Sequence, residues 1–237
     1  MVIYNFKQII RDFFLYIGNP GNLFKFSPQH QKLIEYGPYK EIIHVGANIG
    51  QELSLYNYLK AGKIYWVEAD NRAAKILSLR CKLYRNIRHM IIKEFLSDLS
   101  GKQVIFYEFS RSGANSTFEP TEEFLESDKK RFVTKRTKKV TLSFDDMITQ
   151  YRINLPNDNN LLVLDVQGNE KSILKGISKA TICKFRIIMC EFSVGQYKNG
   201  VTIEELEACL IDLGFKKVFS PIRISDDAIF ERVDNSN

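Results

Sequence analysis

From residue 41 onward, short runs of branched apolar residues alternate with stretches whose apolar positions recur at helical spacing. "EIIHV" (41–45) reads as a strand, and Ile49, Leu53, Tyr56 and Leu59 mark one face of a helix over 49–60, stopped by Gly62. "KIYWVE" (63–68) predicts a second strand, followed by a helix over 71–84 with Ala73, Leu77, Arg80 or Cys81, and Tyr84 on its stripe. "RHMIIKEFLS" (88–97) reads as a third strand, and "KQVIFYEF" (102–109) as a further one paired through the short turn at Ser100-Gly101. After a break come the strands "KVTLS" (139–143), "LLVLDV" (161–166) and "FRIIMCEF" (185–192), the last two apolar enough for buried parallel positions. "NEKSILKGISKA" (169–180) and "VTIEELEACLIDLG" (201–214) are helices; in the second, Thr202 and Glu205 form a capping box and Gly214 a C-terminal stop. "KKVFS" (216–220) and "DAIFERV" (227–233) close the sheet. This alternation predicts an α/β domain, a mostly parallel sheet flanked by helices.

Two segments stand outside the rhythm. Residues 110–137 have no sustained period and swing from acidic to strongly basic, the mark of a functional loop or lid, or of a flexible connection. At the start, Ile3, Phe6, Ile9 or Ile10, Phe13 and Ile17 share one face of an amphipathic helix, so residues 1–40 are expected to form an N-terminal helical extension to a domain over 41–237. Lys7, Arg11 and Asp12 interrupt it, and the clean run from Phe13 to Ile17 is far short of the ~18 residues of a bilayer span. Its apolar face is expected to pack on the domain or on a second copy in a homodimer, with membrane-surface contact the lesser alternative.

Composition narrows this further. A chain of 237 residues that is 44% hydrophobic suits one sizeable core rather than two domains. The net charge of +6 favours encounter with anionic partners. Cys81, Cys183, Cys190 and Cys209 make no CxxC pair and no zinc spacing, which fits a reduced, cytoplasmic protein with buried free thiols.

Ligands of an open α/β sheet bind beyond the carboxyl ends of its strands. Here those ends read Gly46-Ala47-Asn48-Ile49-Gly50, Glu68-Ala69-Asp70, Ser97-Asp98, Asp165 and Glu191. All but the first carry a carboxylate, for which a purely structural sheet has little use. Glu68 ends the second strand, where an acid can accept both hydroxyls of a ribose. A dinucleotide loop would require glycines at 46, 48 and 51, but 48 is Asn and 51 is Gln. The loop G-x-N-x-G still turns tightly, since Asn tolerates left-handed backbone, and with no pyrophosphate to cradle its helix N-terminus can face a carboxylate. These features suit S-adenosylmethionine: the amino-acid carboxylate at the loop, the ribose on Glu68, and adenine near Ser97 and Asp98.

"HVGANIGQE", "WVEAD", "FLSDLSG", "SGANSTF", "TLSFDDMI", "LDVQGNEKSILKG" and "IIMCEF" follow one another between residues 41 and 232, and in this order they resemble the motifs of FkbM-type methyltransferases. The resemblance implies a class I, Rossmann-like fold, S-adenosylmethionine as methyl donor with S-adenosylhomocysteine as product, and O-methylation of a sugar, glycan or other small-molecule hydroxyl. It departs at His44, where the family usually has Asp, and at Gln167, where it usually has Glu.

A hydroxyl acceptor has to lose its proton, so a base or a bound cation is expected near the methyl group. Asp165 is the first candidate and Glu170 the second; for Glu170 the rival reading is an acid stabilised by a helix N-terminus. Asn115, Ser116 and Glu191 are expected to face the acceptor, although turn formation and backbone amides offer them structural roles as well. A divalent cation between Asp165 and Glu170 has no separate ligand signature. The basic run "KKRFVTKRTKK" (129–139) would serve an RNA methyltransferase, but no recognition module accompanies it, and a solvated loop balanced by the acids at 119–128 is the plainer reading. The remaining alternative is a non-catalytic scaffold with a decayed cofactor site. His44 is expected to be a buried histidine satisfied by a neighbour.

Overall fold

The structure, a computed structural model, describes residues 27–110, 115–128, 130, 132–157, 159–191, 201–220 and 227–233. The amphipathic helix expected from Ile3 to Ile17 lies outside the described residues, as do parts of the 110–137 segment and the residues just after Glu191.

The main sheet has seven strands. They are β1 (Glu41–Val45), β2 (Lys63–Val67), β3 (Arg88–Ile92), β7 (Asn160–Leu164), β8 (Phe185–Cys190), β9 (Phe215–Phe219) and β10 (Ala228–Arg232), in the order β3-β2-β1-β7-β8-β10-β9. The first five are parallel, and β10 runs antiparallel between β8 and β9. Strand order therefore reverses between β1 and β7, the switch point at which such sheets bind ligands.

Alternate residues of the central strands feed two separate cores, which explains why these strands read as continuous apolar runs. Ile42, Ile64, Trp66, Leu161 and Val163 pack with α1 (Pro28–Tyr36), α2 (Leu53–Tyr58) and α3 (Asn71–Cys81) through Leu33, Tyr56 and Leu77. Ile43, Val45, Val67, Leu162 and Leu164 face the opposite layer, meeting Phe144 and Met147 of α5 (Phe144–Gln150), Ile173 of α6 (Glu170–Lys175), Ile182 of α7 (Lys179–Ile182) and Leu206 of α8 (Ile203–Asp212). The capping box at Thr202 and Glu205 is formed, and Gly214, at φ 88°, follows that helix.

Several expected elements come out differently. The apolar text at 88–97 is two strands: β3 stops at Ile92, and β4 (Phe95–Ser97) joins a second sheet with β5 (Gln103–Phe109) and β6 (Val133–Ser143) in the order β4-β6-β5. The turn at Ser100-Gly101 thus connects strands that do not pair, because β6 lies between them. The basic stretch from Val133 is the first half of an eleven-residue strand, hidden from pattern reading because its inward positions are the polar Thr137, Lys139 and Thr141. Glu122–Glu126 adds a short helix, α4. The expected helix over 169–180 breaks at Gly176, where a Cβ would fall 2.6 Å from the Ser97 carbonyl oxygen. Of the thiols, Cys81 and Cys190 are buried while Cys183 is exposed, and none is in a disulfide. No helix among the described residues is long and apolar enough to cross a membrane.

Candidate functional site

The turn after β1 is built from three residues in the left-handed region: Gly46 at φ 83°, Asn48 at 47° and Gly50 at 72°. For this reason the expected helix over 49–60 starts only at Leu53. The amides of Gly46 and Ala47 both donate to the Val67 carbonyl, at 2.9 and 3.1 Å, tying the loop to the end of β2. Gly50 sits against α3, where a Cβ would lie 2.6 Å from Leu77 Cδ1. From the same helix the buried Arg80 donates to the Ile49 carbonyl at 2.5 Å.

Glu68 braces this loop. One carboxylate oxygen accepts from the Asn48 amide and the other from the Asp70 amide, both at 2.6 Å. The side chain is buried, and burial raises its pKa to about 7 against the pull of those two amides. Each oxygen keeps a second acceptor direction for a hydroxyl. Asp70 in turn caps α3 by accepting from the Arg72 amide at 2.7 Å, and its other oxygen accepts from Asn115 Nδ2 at 3.1 Å.

Beyond these strand ends opens a cavity of about 930 Å³, open mouth included. One wall is apolar, from Val67, Ala73, Phe95, Leu96 and Phe106. Glu94 borders it, held by the Tyr151 hydroxyl at 2.7 Å and by Gln150 Nε2 at 3.3 Å. A polar wall carries Asp165, Gln167 and Glu191, and Asn169 joins it to the apolar one by donating to the Leu96 carbonyl at 2.8 Å.

In that wall the Gln167 side-chain amide donates to Asp165 Oδ1 at 3.0 Å and also to Glu191 Oε2. Gln167 has φ 57°, and its carbonyl accepts from Ser116 Oγ at 2.9 Å. Burial, and then Asp165 beside it, hold the Glu191 carboxyl well above the usual carboxylate range. Burial and Asp165 also push Glu52, at the mouth of the loop, up to about 8.

The expected residues separate into two groups. Gly46, Asn48, Glu68, Ala69, Asn115, Asp165 and Glu191 border one cavity. Ala47 and Gly50 shape the loop behind it, and Ser116 lies buried under Gln167. Ser97 and Asp98 lie at the far end of β4, outside the cavity, with Asp98 paired to Lys102 at 3.2 Å. Glu170 turns away from it: its Oε1 accepts from the Val166 and Gly168 amides at 3.1 and 3.2 Å, holding the 166–168 turn, and burial raises its pKa to about 7. His44 is buried behind the loop, with Nδ1 and the Tyr56 hydroxyl 3.0 Å apart; burial lowers its pKa to about 4, so it is neutral. Among the described residues its Nε2 meets no hydrogen-bond partner. Among the described residues no three His, Cys, Asp or Glu side chains are placed to hold a metal ion.

Gln51, Glu94, Phe95, Leu96 and Phe106 border the cavity without having been singled out in the sequence. The signal for three of them is the polar pair Lys93-Glu94, which cuts the apolar run after Ile92 and separates β3 from Phe95.

Chain and fold can now be set beside known proteins. The profile of the "Methyltransferase FkbM domain" family matches residues 44–217. No functionally curated protein matches. Among solved structures, the methyltransferase FkbM of Methylobacillus flagellatus aligns with 89% of this chain at a TM-score of 0.52 and 13% identity. The chain spans 45% of that protein's length. An O-methyltransferase from Bacillus cereus, solved with SAH, aligns with 94% of this chain and 89% of its own at a TM-score of 0.50 and 11% identity. At such identities these neighbours speak for the fold alone, a class I, Rossmann-like methyltransferase fold. Because the family profile covers most of the chain and the glycine loop, Glu68 and Asp165 all fall inside the matched span, the protein belongs to the FkbM methyltransferase family.

Proposed function

We propose that the protein transfers the methyl group of S-adenosylmethionine to a hydroxyl oxygen of a sugar, glycan or other small acceptor. The carrying observation is that the Glu68-braced loop and the Asp165 carboxylate line one cavity across the sheet's switch point. Glu68 has two spare acceptor directions for a ribose diol, and the slot of Ala73, Phe95, Leu96 and Phe106 is apolar enough for an adenine ring. Glu94, at the edge of that slot, takes the place expected for Asp98 as an acceptor for the exocyclic amine. The bound cofactor supplies a methyl group on cationic sulfur.

The chain's own residues do the rest. The loop and Glu68 fix the methyl donor relative to Asp165, and alignment of an in-line displacement accounts for much of the acceleration. Asp165 accepts the hydroxyl proton as the new C–O bond forms and the C–S bond breaks. Glu191, bridged to Asp165 by the Gln167 amide, orients the acceptor hydroxyl. Asn115 extends the same wall. Calorimetry with S-adenosylhomocysteine tests the cofactor half: absence of binding at ~1 mM would sink the reading, since a working site needs at least that affinity. Labelled cofactor incubated with a panel of nucleotide sugars and glycans tests the acceptor half.

A further inference from the structure

The β5–β6 pair turns two different faces outward and inward. Its register sets Gln103 against Val140, Ile105 against Lys138 and Tyr107 against Arg136. The intervening residues point the other way: Phe106 is in the cavity wall, Lys139 reaches the Ala69 carbonyl at 2.6 Å, and Glu108 is taken by Arg72 at 2.9 Å. On the outward face Ile105 is 52% and Val140 58% exposed, with Arg136 and Lys138 exposed beside them. Among the described residues neither Arg136 nor Lys138 forms an ion pair, and the Arg136 guanidinium instead lies 5.3 Å from the Tyr107 ring centre.

We infer that this outward face docks the protein on an anionic phospholipid surface. Interleaved aliphatic and cationic side chains on one flat strand pair call for a partner that offers negative charge and apolar depth together, and a lipid headgroup region offers both. Nucleic acid meets only the charge: Ile105 and Val140 give bases no stacking platform, and the Tyr107 ring is already covered by Arg136. The docked face backs directly onto Phe106 and Lys139, so the cavity mouth is held close to the surface, whatever the acceptor. The inference stands independently of the proposed activity.

Co-sedimentation of the full chain with phosphatidylcholine vesicles, with and without phosphatidylserine, tests it. The protein is expected to bind only the anionic vesicles, less as salt rises. Arg136→Glu with Lys138→Glu should weaken binding by ~10-fold or more, and Ile105→Ser with Val140→Ser by several-fold. All four positions are solvent-facing, so thermal melts of the variants should match the parent; Lys138→Ala alone gives a smaller loss if a double variant does not fold. No binding to anionic vesicles overturns the inference. So does unchanged binding in either double variant, or tighter retention on a generic RNA oligonucleotide at the same salt.

Discussion

A Cβ placed on Gly46 would fall 1.7 Å from the carbonyl oxygen of Asp165. The ends of β1 and β7 are in backbone contact there, and the Asp165 amide donates to the Val45 carbonyl at 3.0 Å. The cofactor loop and the candidate base are therefore one rigid unit. Gly46→Ala has to part them while also holding a positive φ. We expect it to cost ~3 kcal/mol or more in stability, in the range of an overpacked core position, and to weaken S-adenosylhomocysteine at least ~10-fold. Denaturant melts and calorimetry give both numbers, and a wild-type affinity in a folded variant would refute the rigid coupling.

Glu68→Ala removes a diol acceptor and leaves the Asn48 and Asp70 amides without theirs. Cofactor affinity should fall by about 1 to 3 kcal/mol. Because the Glu68 carboxyl is raised to about 7, the wild-type affinity should also climb between pH 6 and 8 as it ionises. A flat calorimetric profile over that range would place the ribose elsewhere.

Asp165→Asn keeps the shape of the wall and removes the proposed base, so turnover should drop by ~100-fold or more with little change in cofactor affinity. Gln167→Leu is subtler. It withdraws the amide that donates to Asp165 and Glu191, so both carboxyl groups lose the donor that holds them in place. Turnover should fall by ~10-fold with little change in cofactor affinity. An unchanged kcat would reduce Gln167 to packing.

Burial raises Glu170 to about 7 and Glu52 to about 8. Acids whose folded pKa exceeds the unfolded value stabilise most below the unfolded value near 4.5, and that contribution is lost as pH rises through 7 to 8. Thermal stability should therefore decline from pH 5 to pH 8. Glu170→Gln keeps the oxygen that the Val166 and Gly168 amides use but cannot ionise. It should be nearly neutral at pH 5 and stabilising at pH 8, by about 3 kcal/mol, or roughly 6 to 12 °C for a chain of this length. Parallel melts of both proteins across this range would expose an opposite trend.

His44 is neutral, with the Trp66 and Tyr56 rings beside it at ring-centre distances of 5.6 and 5.9 Å, and those two rings 5.4 Å from each other. His44→Asp would bury a carboxylate near Asp165 with Tyr56 as its one donor, and should destabilise by roughly 3 to 5 kcal/mol. Urea unfolding measures this; a change under ~1 kcal/mol would mean the site hydrates readily.

The central strands were legible because helices cover both sheet faces, which forces both side-chain sets of "KIYWV" and "NLLVL" to be apolar. The same cause made the carboxylates at their ends conspicuous. The first half of β6, ahead of the strand expected at 139–143, escaped because its inward side faces a polar mouth rather than a core, so Thr137 and Lys139 break the alternation. Glu94 escaped because a strand reading carried "RHMIIKEFLS" straight through the point where the chain changes sheets.

By itself the sequence determined the α/β class, the glycine loop, and the acids at the strand ends, since each rests on local spacing and backbone tolerance. Only the tertiary structure decided which of those acids meet. Asp165 and Glu191 end adjacent strands and are bridged by Gln167. Glu170, five residues from Asp165, spends its carboxylate on the backbone of its own turn. Asp98 is carried away on a second sheet and paired with Lys102. Strand register and burial are long-range properties, and it is those, not spacing along the chain, that separate a carboxylate in the cavity wall from one that holds up a loop.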